Sequence, residues 1–200
     1  NGLVPGNYIV VIHDTTTLCS TTAAIELTTA VPVTFTTLST DVSCNGNNDG
    51  TLTIVLDANN SNGPYNYTLS NGIAPAITQN NGVFTGLIAG TYAVTVTSSR
   101  NCTMTQTVTI KEPSFLTISA IATPFICNSN NIVQTSTITV TVNNDITGNP
   151  SGTAPYLYSI DGINFFTSST FDIIDNGAVQ NITITVKDAH NCLTTTNVII

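Results

Sequence analysis

The sequence contains very few charged residues, and basic residues are the rarest of them. Among 200 residues, three are Lys or Arg and eleven are Asp or Glu, which gives a formal net charge of −8 at pH 7. Nucleic-acid binding needs clustered cations to neutralise phosphates, and anionic membranes attract basic segments. We therefore expect neither a nucleic acid nor an anionic membrane surface as a partner.

Long apolar runs are absent as well. The sequence has no stretch of about 18 consecutive apolar residues, so we expect no transmembrane helix and no membrane insertion. It also shows no N-terminal signal peptide. Because the repeat pattern described below places Asn1 inside a unit, we expect the polypeptide to start upstream of Asn1.

The residue groupings that catalysis and zinc binding require are also missing. No Ser or Cys nucleophile has a base beside it in repeated copies, although His13 and His190 each have an acid nearby. No CxxC pair or Cys/His cluster is present, which disfavours a zinc site. We predict no catalytic residue, no enzyme activity and no bound cofactor.

What the sequence does contain is a repeated segment. Residues 86–102 read Gly-Leu-Ile-Ala-Gly-Thr-Tyr-Ala-Val-Thr-Val-Thr-Ser-Ser-Arg-Asn-Cys, residues 2–19 follow the same order, and residues 181–192 form a looser copy. Tyr8 and Tyr92 are 84 residues apart, which is longer than the roughly 20–50 residues of a solenoid repeat. The repeating unit is therefore a whole small domain.

Three units follow from these anchors. Residues 1–32 are predicted to be the C-terminal part of a preceding repeat, 33–113 a complete repeat, and 114–200 a second, divergent repeat. The divergence lies in the last copy, which has Val-Gln-Asn-Ile at 179–182 where the other copies have Gly-x-Tyr.

Apolar residues alternate with threonine along each unit, as Leu52 and Ile54 do with Thr51 and Thr53. A period of two indicates half-buried strands, and Asn-Gly and Asp-Gly turn signals separate the runs. About seven short strands in some 80 residues predict an all-β protein of tandem immunoglobulin-like β-sandwich domains with almost no helix.

The repeated segment also predicts a tyrosine corner, in which a tyrosine hydroxyl bonds back to the backbone at the entry to a strand. Gly90 and Tyr92 form this motif in the complete repeat, and Gly6 and Tyr8 form it in the partial one. Glycine is expected to supply the tight bend.

Five cysteines occupy two kinds of position. Cys44 and Cys127 (the early cysteines) precede the second strand of a unit, and Cys19, Cys102 and Cys192 (the late cysteines) follow the Tyr-x-Val-x-Val strand or its counterpart. Structural disulfides in an oxidising compartment explain this placement. Pairing within units predicts Cys44–Cys102 and Cys127–Cys192, and leaves Cys19 for a cysteine outside this segment.

An alternative pairing across units joins Cys19 to Cys44 and Cys102 to Cys127, each 25 residues apart. It is disfavoured because two extended strands and a linker would hold those cysteines far apart. Pairing within a unit carries its own condition, since five alternating strands between the cysteines would place them at opposite ends. It requires four intervening strands, or a first strand that changes sheets.

A calcium site is a weaker candidate. Asn45, Asn47 and Asp49 alternate before Gly50 like the start of a calcium loop, but the closing Glu is absent and a hairpin turn is the preferred explanation of the segment. Calcium at the linkers would need more acidic residues than Glu26, Glu112 and Asp41 provide.

Together these motifs resemble the SprB repeat of Bacteroidota surface adhesins. The resemblance rests on Cys44-Asn-Gly with Asp49-Gly50, Gly63-Pro-Tyr-Asn-Tyr67, the segment from Phe84 to Val96, Asn101-Cys102 and Ile110-Lys-Glu-Pro113. It implies a long extracellular filament on the cell surface, exported by type IX secretion and used in surface attachment and gliding motility.

We therefore expect a structural spacer or stalk segment of an adhesin. Its expected partners are neighbouring repeats of the same polypeptide and other filament chains, with surface polysaccharide or substratum bound through other parts of the protein. The alternative is a carbohydrate-binding module in which each repeat binds polysaccharide directly, and an exposed row of aromatic residues would favour it.

Overall fold

The computed structural model describes residues 2–60, 62–149 and 151–200; Asn1, where the predicted partial repeat begins, lies outside them. The described residues form fifteen β-strands and no helix, which confirms the predicted all-β class. They therefore contain no helix that could cross a membrane.

In chain order the strands are β1 (Gly6–His13), β2 (Ser20–Leu27), β3 (Phe35–Thr40), β4 (Gly50–Leu56), β5 (Tyr65–Ser70), β6 (Ile77–Gln79), β7 (Val83–Leu87), β8 (Gly90–Ser98), β9 (Thr103–Ile110), β10 (Ile118–Ala122), β11 (Ser136–Val142), β12 (Leu157–Ser159), β13 (Thr170–Ile173), β14 (Asn181–Lys187) and β15 (Leu193–Ile199).

The chain divides into two compact units. The first consists of Asn1–Thr36, Ile54–Gly82 and Ala93–Gln106, and the second consists of Thr37–Thr53, Val83–Tyr92 and Thr107–Ile200. Strands β1 and β2, which belong to the first unit, form a two-stranded antiparallel sheet that pairs Gly6 with Leu27 at one end and His13 with Ser20 at the other.

Strands β3 to β9 form two antiparallel sheets, ordered β3-β4-β7 and β6-β5-β8-β9. This division of seven strands is typical of immunoglobulin-like sandwiches. The alternation read from the sequence is present in the burial, because Leu52 and Ile54 of β4 and Val94 and Val96 of β8 are buried. Their neighbouring threonines stay on the outer faces, where Thr95 of β8 bonds Thr105 of β9.

Strands β10 to β15 form a β-sandwich inside the second unit. Its sheets are ordered β10-β11-β13 and β12-β14-β15, and both contribute to one core. Ile138 and Val140 of β11 and Ile184 and Val186 of β14 are buried in that core. Side chains from two sheets that share one dry layer are the structural basis of a sandwich.

The predicted corners lie at the starts of β1 and β8. The Tyr92 hydroxyl donates to Ile88 O at 2.9 Å, and the Tyr8 hydroxyl donates to Val4 O at 2.6 Å. Gly90 has φ +154°, a region that residues with a side chain rarely adopt.

The divergent repeat closes the corresponding loop differently. There the Gln180 side chain donates to Ile174 O at 3.0 Å, and the backbones of Gln180 and Ile200 exchange two hydrogen bonds at 3.1 and 3.0 Å. A hydrogen bond from an amide side chain thus closes this loop, whereas a hydrogen bond from a tyrosine hydroxyl closes it in the other two copies.

Candidate functional site at the Cys44–Cys192 disulfide

The most distinctive site in the molecule is a disulfide between Cys44 and Cys192. Their Cα atoms are 5.6 Å apart and the two residues are separated by 148 positions in the sequence. Both lie in the second compact unit, Cys44 between β3 and β4 and Cys192 in the turn between β14 and β15.

This pairing differs from the pairing predicted within units. Because Cys44 bonds Cys192, neither Cys44–Cys102 nor Cys127–Cys192 is formed. Cys19, Cys102 and Cys127 are free thiols in the structure, with Cys19 and Cys127 exposed and Cys102 half-buried. The alternative scheme of Cys19–Cys44 and Cys102–Cys127 is likewise not formed.

The reason is the number of strands between the cysteines of one repeat. In the described part of the chain, five strands, β4 to β8, separate Cys44 from Cys102. Each strand reverses the chain direction, so an odd number leaves the two cysteines at opposite ends of the repeat. Since β8 alone has nine residues and spans about 30 Å, a bridge that needs Cα atoms within about 7 Å cannot form.

The divergent repeat follows the same rule. Strands β11 to β14 lie between Cys127 and Cys192, and a further extended segment at Phe166 bridges Tyr158 in an antiparallel sense. Five extended segments again separate the early from the late cysteine. β11 has seven residues and spans about 23 Å, which is too long for the predicted bridge.

The loop that carries Cys44 is ordered by Asp49. The Asp49 carboxylate accepts hydrogen bonds from Ser43 N at 2.9 Å and from Ser43 Oγ, and Asn47 Nδ2 donates to Ser43 Oγ at 3.0 Å. The Ser43 hydroxyl and then its backbone N–H hold the pKa of Asp49 below its usual value, because they favour the charged carboxylate.

The calcium candidate falls in this loop, and the structure gives its side chains other roles. Asp49 bonds Ser43, Asn47 Nδ2 donates to the same serine, and Asn45 Nδ2 donates to Pro113 O at 3.1 Å. Within the described ranges no group of three or more His, Cys, Asp or Glu residues is placed to hold a metal ion. The loop is thus organised by internal hydrogen bonds.

The linker residues 111–113 are bonded to the same loop through four hydrogen bonds. They run from Lys111 N to Asp41 Oδ1 at 2.8 Å, from Val42 N to Lys111 O at 3.1 Å, from Gly46 N to Glu112 Oε2 at 2.9 Å and from Asn45 Nδ2 to Pro113 O at 3.1 Å. Three of them use a backbone atom of Lys111 or Pro113, so the path of the linker is fixed and not only its side chains.

The turn that carries Cys192 is ordered by Asp188. This carboxylate is only 4% exposed and accepts from the backbone N–H groups of His190 and Cys192 at 2.9 Å each and of Thr153 at 3.0 Å. Asn191 has φ +64°, a left-handed conformation that asparagine tolerates well. The turn therefore presents Cys192 in a defined position.

The other late cysteines lie in the same kind of turn. Asn101 before Cys102 has φ +60°, and Leu18 before Cys19 has φ +54°. Ser98 Oγ accepts from Cys102 N at 3.1 Å, as the Asp188 carboxylate does from Cys192 N. The sequence reasoning did not single out Asp188, although a polar acceptor recurs a few residues before each late cysteine.

A glycine that the sequence reasoning also passed over supports this region. Gly152 has φ +70°, and a Cβ there would lie 2.9 Å from Leu116 Cδ1 and 3.1 Å from Asp188 Oδ2. Any side chain would therefore displace the carboxylate that orders the Cys192 turn. The backbone conformation alone disfavours other residues as well.

Two clefts flank the disulfide. One, of about 300 Å³, is lined by Cys44, Asn45, Asn47, residues 114–116 and residues 191–193. The other, of about 470 Å³, is lined by residues 41–43, residues 111–113 and His190. Both are formed by the loop, the linker and the turn that the disulfide joins.

Tyr65 and Tyr156, two aromatic residues that a carbohydrate-binding module could use, form hydrogen bonds within the fold. Asn62 N donates to Tyr65 Oη at 2.9 Å, and the Tyr156 hydroxyl donates to Ser151 O at 2.9 Å. Burial, followed by the nearby Asp188 charge, raises the pKa of Tyr156. An exposed aromatic pair occurs elsewhere, where the rings of Phe166 and Phe171 meet edge to face with centroids 6.4 Å apart.

Comparison with known proteins supports the family resemblance. The model of the family described as SprB repeat matches residues 36–73, a range that includes Cys44 and the calcium-candidate loop. The match confirms the predicted resemblance, and SprB repeats belong to cell-surface proteins of the adhesin type. No curated protein matches the sequence.

One solved structure with a similar arrangement contains three N-terminal domains of the Highly Immunogenic Outer Capsid protein (Hoc) of bacteriophage RB49. The sequences are 15% identical, the TM-score is 0.45, and the match covers 84% of this chain and 58% of that chain. The chain thus spans less than two thirds of the length of that structure.

Proposed function

We propose that this chain is a non-enzymatic, load-bearing spacer segment of a long secreted adhesin on the cell surface. In this proposal the sandwiches repeat along one polypeptide, and attachment to polysaccharide or substratum is made by other parts of the protein. The family resemblance extends the proposal to a filament exported by type IX secretion in Bacteroidota and used in gliding. Neighbouring repeats and other filament chains are its partners, and it needs no cofactor.

The observation that supports the proposal is the Cys44–Cys192 disulfide. It closes a loop of 148 residues, and in the chain-entropy account a loop of that size stabilises the folded state by about 5 kcal/mol. When tension is applied beyond the two cysteines, the disulfide transmits it directly. The backbone of residues 45–191 then does not carry the pulling force.

The hydrogen bonds around the disulfide support the same role. The linker is bonded to the Cys44 loop by backbone groups, and the Cys192 turn is ordered by Asp188. A junction fixed at both the linker and the disulfide resists bending better than a flexible linker does. These features suit a segment whose purpose is reach and mechanical strength.

Single-molecule pulling from the two chain ends tests the proposal. With the disulfide intact, the 148-residue loop cannot extend, so we expect full unfolding to release about 500 Å less length than in the Cys44→Ser variant. The matched control is Cys102→Ser, which removes a free thiol and should leave the released length unchanged. Equal lengths for the wild-type and Cys44→Ser chains would contradict the load path.

A carbohydrate-binding module remains a second candidate because of the Phe166–Phe171 pair. Phe166 is 53% exposed and lines a shallow cavity of about 290 Å³ with Ser168, Thr170, Phe171 and Asp172. Aromatic faces beside hydroxyl and carboxylate groups are suited to stacking on a sugar ring.

Titration of the chain with a panel of soluble polysaccharides distinguishes the two candidates. A binding module should lose affinity in Phe166→Ala and keep it in Phe115→Ala, which removes another exposed ring. A spacer should bind none of the polysaccharides in either form. Binding that both variants retain equally would exclude the Phe166 site.

A further inference from the structure

The observed disulfide follows a pairing rule between repeats. It joins the early cysteine of the repeat at 33–113 to the late cysteine of the repeat at 114–200. The other three cysteines are Cys19, Cys102 and Cys127. By this rule, the partner of each one would lie in a repeat other than 33–113 and 114–200. The free thiols are therefore those that the rule leaves without a partner among the described residues.

The position of the cysteines within a repeat explains why the same disulfide pairing can recur at each junction between repeats. In the divergent repeat, Cys127 precedes β11, and Cys192 lies in the turn after β14, with five extended segments between them. One cysteine thus lies toward each end of the repeat, with Cys192 bonded to Cys44 and Cys127 free. A head-to-tail contact that uses opposite ends of identical units continues into a linear array.

The turn that carries the free thiol of Cys102 resembles the turn that carries the bonded Cys192. Cys102 follows a left-handed asparagine, as Cys192 does, and its backbone N–H is held by Ser98 Oγ. Cys127 is exposed and forms an antiparallel bridge with Val133, and Asn128 Oδ1 accepts from the backbone of Asn130 and Ile132. Both thiols are therefore presented by ordered backbone.

We propose that Cys127 forms a disulfide with the late cysteine of the following repeat, and Cys102 with the early cysteine of the preceding repeat. Every junction of the array is then closed by one disulfide between neighbours. This inference rests on the proposed spacer function, because it requires that the repeats continue along the polypeptide. It assigns a partner of defined chemistry to two thiols that are otherwise unexplained.

Disulfide formation here needs a two-electron oxidant, and a disulfide of an oxidoreductase or of oxidised glutathione supplies it. The Cys127 thiolate attacks one sulfur of the oxidant and releases the other as a thiolate. The thiolate of the late cysteine then attacks the mixed disulfide, which forms the new S–S bond and releases the second thiol. The oxidant gains two electrons, and the protons lost by the two cysteines appear on its thiols.

An extended chain tests the proposal. A second copy of residues 111–200 is attached directly after Ile200, which preserves the spacing because Ile110 and Ile200 each lie eight residues after a late cysteine. The attached copy carries Cys127→Ser, so that only one Cys127 is present. The protein is folded in a glutathione redox buffer, and its disulfides are mapped by trypsin digestion and mass spectrometry without reduction.

We expect Cys127 to be linked to the late cysteine of the attached copy, with Cys44–Cys192 retained and Cys19 and Cys102 still reactive toward iodoacetamide. The two late-cysteine peptides differ in mass, because the original one continues from Ile200 into Lys111 of the attached copy. In the matched control, Cys127→Ser in the original part should leave the attached late cysteine as an additional reactive thiol.

A Cys127 thiol that stays free, or that bonds Cys19, Cys102 or another chain, would overturn the proposal. Loss of Cys44–Cys192 in the extended chain with a folded circular dichroism spectrum would overturn the pairing rule itself. The spacer function is judged separately by the pulling experiment on the unextended chain. A Cys127 bond together with an unchanged released length in that experiment would contradict only the load path.

Discussion

The hairpins β1–β2 and β8–β9 carry the same sequence motif in different surroundings. Tyr8 and Tyr92 both donate to the backbone oxygen four residues earlier, and left-handed residues precede Cys19 and Cys102 in both turns. Yet Val94 is fully buried, whereas Val10, the corresponding residue in β1, is 43% exposed. The motif therefore determines the local backbone, and the rest of the repeat determines burial.

The sheets show the origin of the difference. β8 is paired on both sides, with β5 and β9, and belongs to a four-stranded sheet. Among the described residues β1 is paired only with β2. A two-stranded sheet satisfies the hydrogen bonds of its own turn but cannot cover its apolar face.

The largest effect that separates the hairpins is expected from removing a valine side chain. Val94→Ala should lower the free energy of unfolding by about 2–3 kcal/mol, because two buried methyl groups are lost and a cavity remains. Val10→Ala should change it by less than about 0.5 kcal/mol, as usual for a surface position. Urea unfolding followed through the methyl NMR signals of Leu69, the partner of Val94 in β5, measures both. Equal effects would show that β1 is as well packed as β8.

A smaller effect is expected from the tyrosine hydroxyls. Tyr92→Phe should cost about 1 kcal/mol, because the Ile88 carbonyl loses its donor at a corner where the Tyr92 ring is buried. Tyr8→Phe should cost less, since water can replace the lost hydroxyl at the exposed Val4 carbonyl. Amide hydrogen exchange at the starts of β8 and β1 compares the two corners. A larger increase in exchange rate on Tyr8→Phe than on Tyr92→Phe, each relative to the wild-type chain, would reverse this ranking.

The smallest effect is a pH dependence confined to one turn. The Thr17 hydroxyl, followed by the N–H groups of Thr16 and Thr17, holds the pKa of Asp14 below its usual value. Its stabilising contribution is therefore present above the unfolded-state pKa of about 3.9 and is lost as the pH falls through the lowered folded-state pKa. Ser98, at the corresponding position of the other turn, does not titrate in this range.

We expect the amide signals of Thr16 and Thr17 to shift toward unstructured values only once the pH falls below the unfolded-state pKa of about 3.9, while those of residues 99–102 stay constant. An NMR titration measures this directly. The Asp14→Asn variant should remove the pH dependence from the first turn. A transition of both turns at the same pH would instead indicate global acid unfolding.

Much of the fold could be predicted from the sequence because the strand signal is local. Alternation of threonine with Leu52, Ile54, Val94 and Val96 predicted the inward positions, and all four are buried. The same signal was less informative at strand ends, where Met104 of β9 is 39% exposed. A period of two identifies the face of a strand but does not show how far the opposite sheet extends over it.

The disulfide could not be predicted in the same way, because the partner of Cys44 is set by the number of strands between cysteines. Five cysteines admit many pairings, and the distance expected across two extended strands and a linker favoured a bond within each repeat. The short strand β6 and its counterpart at Phe166 make the number of intervening segments odd. Such short edge segments are difficult to predict from the sequence. One additional segment is enough to move the second cysteine of a repeat to the opposite end from the first.

The Cys44–Cys192 bond also bears on how the chain withstands proteases. It makes the backbone from residue 44 to residue 192 part of a closed covalent ring. A single peptide-bond cleavage anywhere within that ring opens it but leaves the two fragments attached through sulfur. Exposed loops around Asn71 and Asn176, both ordinary targets for nicking, lie inside the ring, so one cut at either loop does not sever the chain.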